Sequence, residues 1–206
     1  MREDLNTKEI ILQAAEIEFL EKGFAGTRTT VIAKRAGVTH SMLHYYFQTK
    51  ENIFKTVLTN KIQLLTKTFS TINENENLPF NERIKFFIEK HFDFIAANPN
   101  LAIFMYSEII SNEQNRKILL ETLSPIFETV LSNLASLIAR EVANETIRPI
   151  KPIDLMINIV SLNIVTFMAL PFVNRFKSDF LTIDSKYFLE KRKEQNVQFI
   201  LAGLRL

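Results

Sequence analysis

The chain has no cysteine, no tryptophan and only three histidines in 206 residues. Without cysteine there is no disulfide framework and no thiolate chemistry, which fits a reducing compartment. Glycine is scarce, and three of the four (Gly23, Gly26 and Gly37) fall in one short N-terminal stretch. Proline is missing until Pro79, and all six prolines lie from there onward. Neither charge is in excess: 25 Lys and Arg against 23 Asp and Glu leave +2, too little to imply a partner by itself. The opening residues MREDLNTKEI carry charge where a signal peptide would be apolar, so a cytoplasmic protein is expected.

A run of alternating apolar and polar residues long enough for a sheet is also missing. Helical spacing dominates, so an all-α fold is expected. The uneven punctuation divides it into a short-helix module over 5–65 and a bundle of longer helices over 66–206. Asn6 can cap the first helix, with Glu9 completing a capping box. Ile10, Ile11, Ala14, Ala15, Ile17 and Phe19 supply its buried face, and Gly23 ends it. Thr29 is expected to cap a second helix through Ala36, and Thr39 a third to about Phe47. Lys50 opens a fourth, running to about Thr71. Prolines mark the later joints, giving helices near 79–98, 100–112, 125–145, 152–173 and 185–204. Ser124-Pro125 reads as a cap and first residue, or as a kink inside one longer helix. The NENEN run at 73–77 is a polar joint.

Residues 155–174, LMINIVSLNIVTFMALPFVN, carry no formal charge and are long enough to cross a bilayer. Asn158, Ser161, Asn163, Thr166 and Pro171 interrupt the segment, and no Trp or Tyr belt flanks it. A helix buried between two subunits is therefore favoured over a membrane span. The last helix has an apolar stripe of Phe188, Val197, Ile200, Leu201 and Leu204. Two copies pairing the 152–173 and 185–204 helices would form a four-helix bundle, so a homodimer is expected. Phe80, Phe86, Phe87, Phe92, Phe94 and Phe104 either line a pocket for a small apolar effector or, more commonly for such spacing, form plain core. His91, Ser107, Asn163 and Thr166 could be polar points of such a pocket, but nothing separates them from core residues, so the ligand-binding residues stay unknown.

Residues 29–48 fit a helix-turn-helix. Ala33 is small where two helix backbones approach, and Gly37 permits a positive φ in the turn. Ile32, Val38 and Leu43 stand where apolar side chains must lock the helices together. From Lys22 to Lys50 there are five basic residues (Lys22, Arg28, Lys34, Arg35 and Lys50) and no Asp or Glu. A local basic field of this kind serves a polyanion better than overall charge does. His40 and His44 have the i, i+4 spacing of a metal pair, yet no third ligand is evident, so no metal and no cofactor is expected.

The run from Thr7 to Phe54 resembles the DNA-binding region of the TetR family of bacterial repressors. The matching elements are ILQAA, KGF, the TT before IA, AGVT, the L-x-Y-x-F run at Leu43–Phe47, and TKE. The resemblance implies a homodimeric, ligand-responsive transcriptional repressor that binds double-stranded DNA and is not an enzyme. It further implies that His40, Ser41 and Met42 face base edges. Thr29, Thr30, Thr39, His44, Tyr45, Tyr46 and Lys50 would contact phosphate. Met42 has the alternative of packing under its helix, and Tyr45 of joining the module core. Members commonly carry tyrosine at the place of His44 and histidine at that of Tyr46; both types can donate to phosphate. Two reading helices about 34 Å apart would then read a palindromic operator. The rival readings are a helical-bundle enzyme or small-molecule carrier, for which no convergent acid, base or nucleophile is found, and a DNA-binding activator.

Overall fold

A computed structural model of the chain describes residues 2–74, 78–111, 113–175 and 184–206; the side chains of 2–5, 64–74, 102 and 111 are outside the description. The expected joint at 73–77 lies partly outside the described residues. In chain order the helices are α1 (Arg2–Gly26), α2 (Thr29–Arg35), α3 (His40–Phe47), α4 (Lys50–Glu74), α5 (Phe80–Ala97), α6 (Pro99–Ser111), α7 (Glu113–Ala143), α8 (Pro152–Arg175) and α9 (Ser185–Ala202). Among the described residues there is no strand, as the all-α expectation requires.

Several boundaries differ from the sequence reading; Gly23, expected to end the first helix, only breaks α1 (φ 68), which runs on to Gly26. Helix α1 begins at Arg2, so Asn6 and Glu9 lie within it instead of capping it. Thr29 is the first residue of α2, and Arg28 holds the cap position without a side-chain hydrogen bond. Pro125 sits inside α7 and does not start a helix. A proline removes one N–H and disturbs the turn before it; here hydroxyls take up nearby carbonyls, Thr122 donating to the Ile118 carbonyl at 2.6 Å and Ser124 to that of Leu120 at 2.7 Å.

The chain divides into two compact units, Met1–Leu64 with Ile103–Ser124, and Leu65–Ala102 with Pro125–Leu206. The segment 103–124 thus packs in the N-terminal unit, although sequence reasoning assigned it to 66–206. Within the first unit α1 buries Ile11, Ala14, Ala15 and Phe19, a stripe with helical period. Ile10 and Ile17, expected in that face, are 39% and 43% exposed. They stand seven residues apart on a different side of the helix.

The second unit is built around α5, α8 and α9. Phe80, Phe87, Leu134, Met156, Ile159, Val197 and Ile200 belong to its main core, with Phe92, Ile95 and Phe167 in a smaller cluster. Phe80, Phe87 and Phe92 are therefore core residues, whereas Phe86 and Phe94 are half-buried and Phe104 lies in the first unit. A line of polar groups crosses this core. Arg192 donates to Asn196 (3.1 Å), Asn196 to Asn163 (2.9 Å), and Asn163 meets His91 Nδ1 at 3.0 Å and the Ile88 carbonyl at 3.0 Å. Burial holds His91 neutral, with its pKa lowered from 6.5 to about 4. Opposite the buried face of α8, Ile153, Ile157, Val165, Met168 and Phe172 form an exposed row at helical spacing.

Candidate nucleic-acid interface

The site is assembled from the turn outward. Gly37 has φ +67, and nothing lies within 4 Å of where a Cβ would stand, so the backbone angle and not crowding favours glycine here. Thr39 caps α3 by accepting the Met42 N–H at 3.2 Å. Ile32, Ala33, Leu43 and Phe47 are buried. These anchors leave the opposite side of α3 in solvent: His40, Ser41, Met42, His44 and Tyr45 are all exposed. Tyr45 is 80% exposed, which overturns its alternative as a module-core residue, and Met42 is 41% exposed.

The exposed side chains are ordered against one another. The Thr29 hydroxyl and His40 Nε2 are 3.0 Å apart, joining the start of α2 to the start of α3. The His40 and His44 rings meet edge-on at 4.8 Å, and those of Tyr45 and the half-buried Tyr46 at 5.3 Å. Among the described residues no third His, Asp or Glu joins the two histidines as a metal set. Thr30 is exposed on α2. What results is a short helix offering imidazole, hydroxyl, thioether and phenol groups from one face, a surface suited to groove edges and phosphates.

A profile of bacterial regulatory proteins of the tetR family matches residues 11–57. Residues 11–57 form a domain of the tetR type. Its sequence is 31% identical over 100 residues to the fatty acid metabolism regulator protein of Bacillus subtilis, covering 48% of this chain and 50% of that one. The chain thus spans about half the length of the first curated relatives it matches. Among solved structures, a candidate fatty acid metabolism regulator of Clostridium perfringens superposes with a TM-score of 0.75 at 20% identity, covering 96% of this chain and 99% of that one. The transcriptional regulator FadR of Bacillus subtilis, solved in complex with stearoyl-CoA, gives 0.70 at 23% identity, covering 95% and 98%. At such identities these two structures speak for the fold.

In this TetR-type head the basic field is smaller than the sequence implies. Arg35 pairs with Glu18 at 2.7 Å and Glu21 at 3.1 Å, and Lys22 pairs with Glu18 at 2.7 Å. The Lys22 and Arg35 contacts hold the Glu18 carboxyl below its usual range, against burial acting the other way. Both acids come from α1, just outside the acid-free stretch. Of the five cations, Arg28 and Lys34 are exposed without an acidic partner among the described residues. Lys50, expected to stand free for phosphate, turns inward. Its ammonium donates to the carbonyls of Phe24 (2.9 Å) and Thr27 (3.1 Å) and lies 4.2 Å from the Phe24 ring centroid. Sequence reasoning also missed Glu108, a buried carboxylate in the apolar run LAIFMYSEII of α6; a lone acid in such a run was the available signal.

Proposed function

We propose that the chain is a DNA-binding transcriptional regulator, acting as a homodimeric, ligand-responsive repressor on a palindromic operator in the cytoplasm. The observation that carries this reading is the α3 surface, with buried residues fixing the helix and His40, Ser41 and Met42 exposed at its front. Those three are assigned to base edges, and Thr30, His44, Tyr45 and Tyr46 to phosphate. Thr39 is assigned through the helix end that it caps. Lys50 is assigned mainly to the loop it holds, with its remaining N–H left for phosphate. Arg28 and Lys34 add the positive field.

The exposed apolar row of α8, together with Phe199 of α9 at 69% exposure, supports a partner surface between two copies. For the effector we propose a small apolar molecule in the second unit. The names of the fatty acid regulators among the relatives make long-chain acyl thioesters the first candidates. Its binding would shift the dimer toward a spacing of reading heads that no longer fits both half-sites. No catalytic role is assigned.

The test is enrichment of duplexes from a random library by the full chain, with affinity then measured against salt. A palindromic sequence should emerge, bound with a steep loss of affinity as salt rises. Failure to enrich any sequence, or binding indifferent to salt, overturns the reading.

A further inference from the structure

Glu108 of α6 lies in the same compact unit as the reading head and is only 5% exposed. One carboxylate oxygen accepts the Phe24 N–H at 2.8 Å, and the other accepts the Asn115 side-chain amide at 2.6 Å. Among the described residues no cation pairs with it. A dry carboxylate without a counter-ion persists only where hydrogen bonds occupy its oxygens, so these two donors are what holds it.

The Phe24 N–H is a special donor. It follows Gly23, whose φ of +68 breaks the regular course of α1, and amides at such breaks lose their acceptors one turn back. The other side of Phe24 is held by Lys50, through its carbonyl at 2.9 Å and its ring at 4.2 Å. Lys50 opens α4 immediately beyond the end of α3. The Phe24 backbone therefore stands between an anion from α6 and a cation at the α3–α4 joint. Aromatic contacts follow the same line, Phe24 to Phe54 at 5.0 Å and Phe54 to Phe104 at 5.8 Å. A Cβ on Gly23 would come within 3.2 Å of the Glu108 carboxylate, so the break and the acid fit one another closely.

We infer that Glu108 is a positioning residue for DNA reading: from outside the helix-turn-helix it fixes the Phe24 backbone on which Lys50 sets the start of α4 and hence the end of α3. The inference rests on the regulator reading above. What matters is an acceptor at that place, because a donor N–H needs only an oxygen.

The experiment uses the full chain, with the duplex that the wild-type protein enriches from a random library and a shuffled duplex of the same composition. Amide exchange over residues 23–28 is followed in parallel. Glu108→Ala should weaken binding to the enriched duplex by about tenfold, leave the shuffled duplex nearly unchanged, and speed exchange at Phe24. Glu108→Gln keeps an oxygen for Phe24, with Asn115 turning its amide, and should restore both. Should the alanine variant fail to fold, Glu108→Asp, a methylene too short for the contact, takes its place. Enriched-duplex binding unchanged in the alanine or aspartate variant overturns the inference, and so does equal weakening on both duplexes. A wild-type chain that enriches nothing overturns the regulator reading itself, a result separable from either.

Discussion

The two units bury their polar groups differently. In the reading head the buried acids are charged side chains aimed at fixed donors: Glu18 on Lys22 and Arg35, Glu108 on a backbone N–H and an amide. In the second unit, Arg83 apart, the buried part of the line across α5, α8 and α9 is made of Asn196, Asn163 and a neutral His91, with the half-buried Arg192 at its end. Carboxylates on stated donors fix a short loop and a turn within narrow limits, which a reading surface needs. Amides and a neutral imidazole satisfy one another without ion desolvation, so the second unit keeps helices aligned inside an apolar core. The exposed surfaces divide the same way: polar aromatics and imidazoles on α3, a largely apolar row on α8 that Ser161 interrupts.

If those surfaces serve DNA and a second copy respectively, breaking one should leave the other's chemistry intact. Glutamate at both Val165 and Phe172 places two charges in the α8 row. The doubly substituted chain should sediment as a monomer and lose about a hundredfold or more of its affinity for an enriched palindrome, since each half-site is then bound alone. Its affinity for a single half-site should hold. A dimer that survives both charges removes α8 from the interface.

The second contrast is in acid. His91 is neutral when folded, with a pKa of about 4 against 6.5 for the free side chain. Between those values the unfolded chain binds the additional proton, so stability is full above 6.5 and falls as pH drops toward 4. The decrease should be about 2 kcal/mol between pH 7 and pH 5, read as a shift of the urea midpoint of the second unit. Glu18 has a lowered pKa, so its contribution is present above the usual carboxylate range and is lost only in stronger acid. Falling pH should thus loosen the second unit before the head. His91→Gln should flatten that interval, and a midpoint equally sensitive in the variant would assign the acid response elsewhere.

The turn was legible because its requirements are local. Gly37 must take a positive φ, Thr39 can cap only its own helix, and Leu43 falls on the inner face by period alone. What escaped was set by distant partners. Glu108 and Phe24 are 84 positions apart in the chain, and nothing in either neighbourhood announces the other. The acid-free stretch read as a basic stripe because its neutralising partners, Glu18 and Glu21, stand on the preceding helix. Lys50 matched a family position, but which atoms its ammonium meets depends on how the Phe24–Thr27 loop folds back. Proline marked the joints well except at Pro125 and Pro171, which lie inside long helices.

The smallest effect expected separates two roles for Thr29. As a phosphate donor its hydroxyl would be sequence-blind, and its loss would weaken every duplex alike while lowering the salt slope by about one. The structure instead places that hydroxyl 3.0 Å from His40 Nε2, where it can orient the imidazole before DNA arrives. Orientation matters for base edges, because a ring that rotates freely presents donor and acceptor to either base. Thr29→Val keeps the shape and removes the hydroxyl. It should reduce discrimination at one base position by about fivefold, within the usual worth of a single base contact, with the salt slope unchanged. A lowered slope and an intact preference would return Thr29 to the phosphate backbone and leave His40 to be oriented by its edge-on contact with His44 alone.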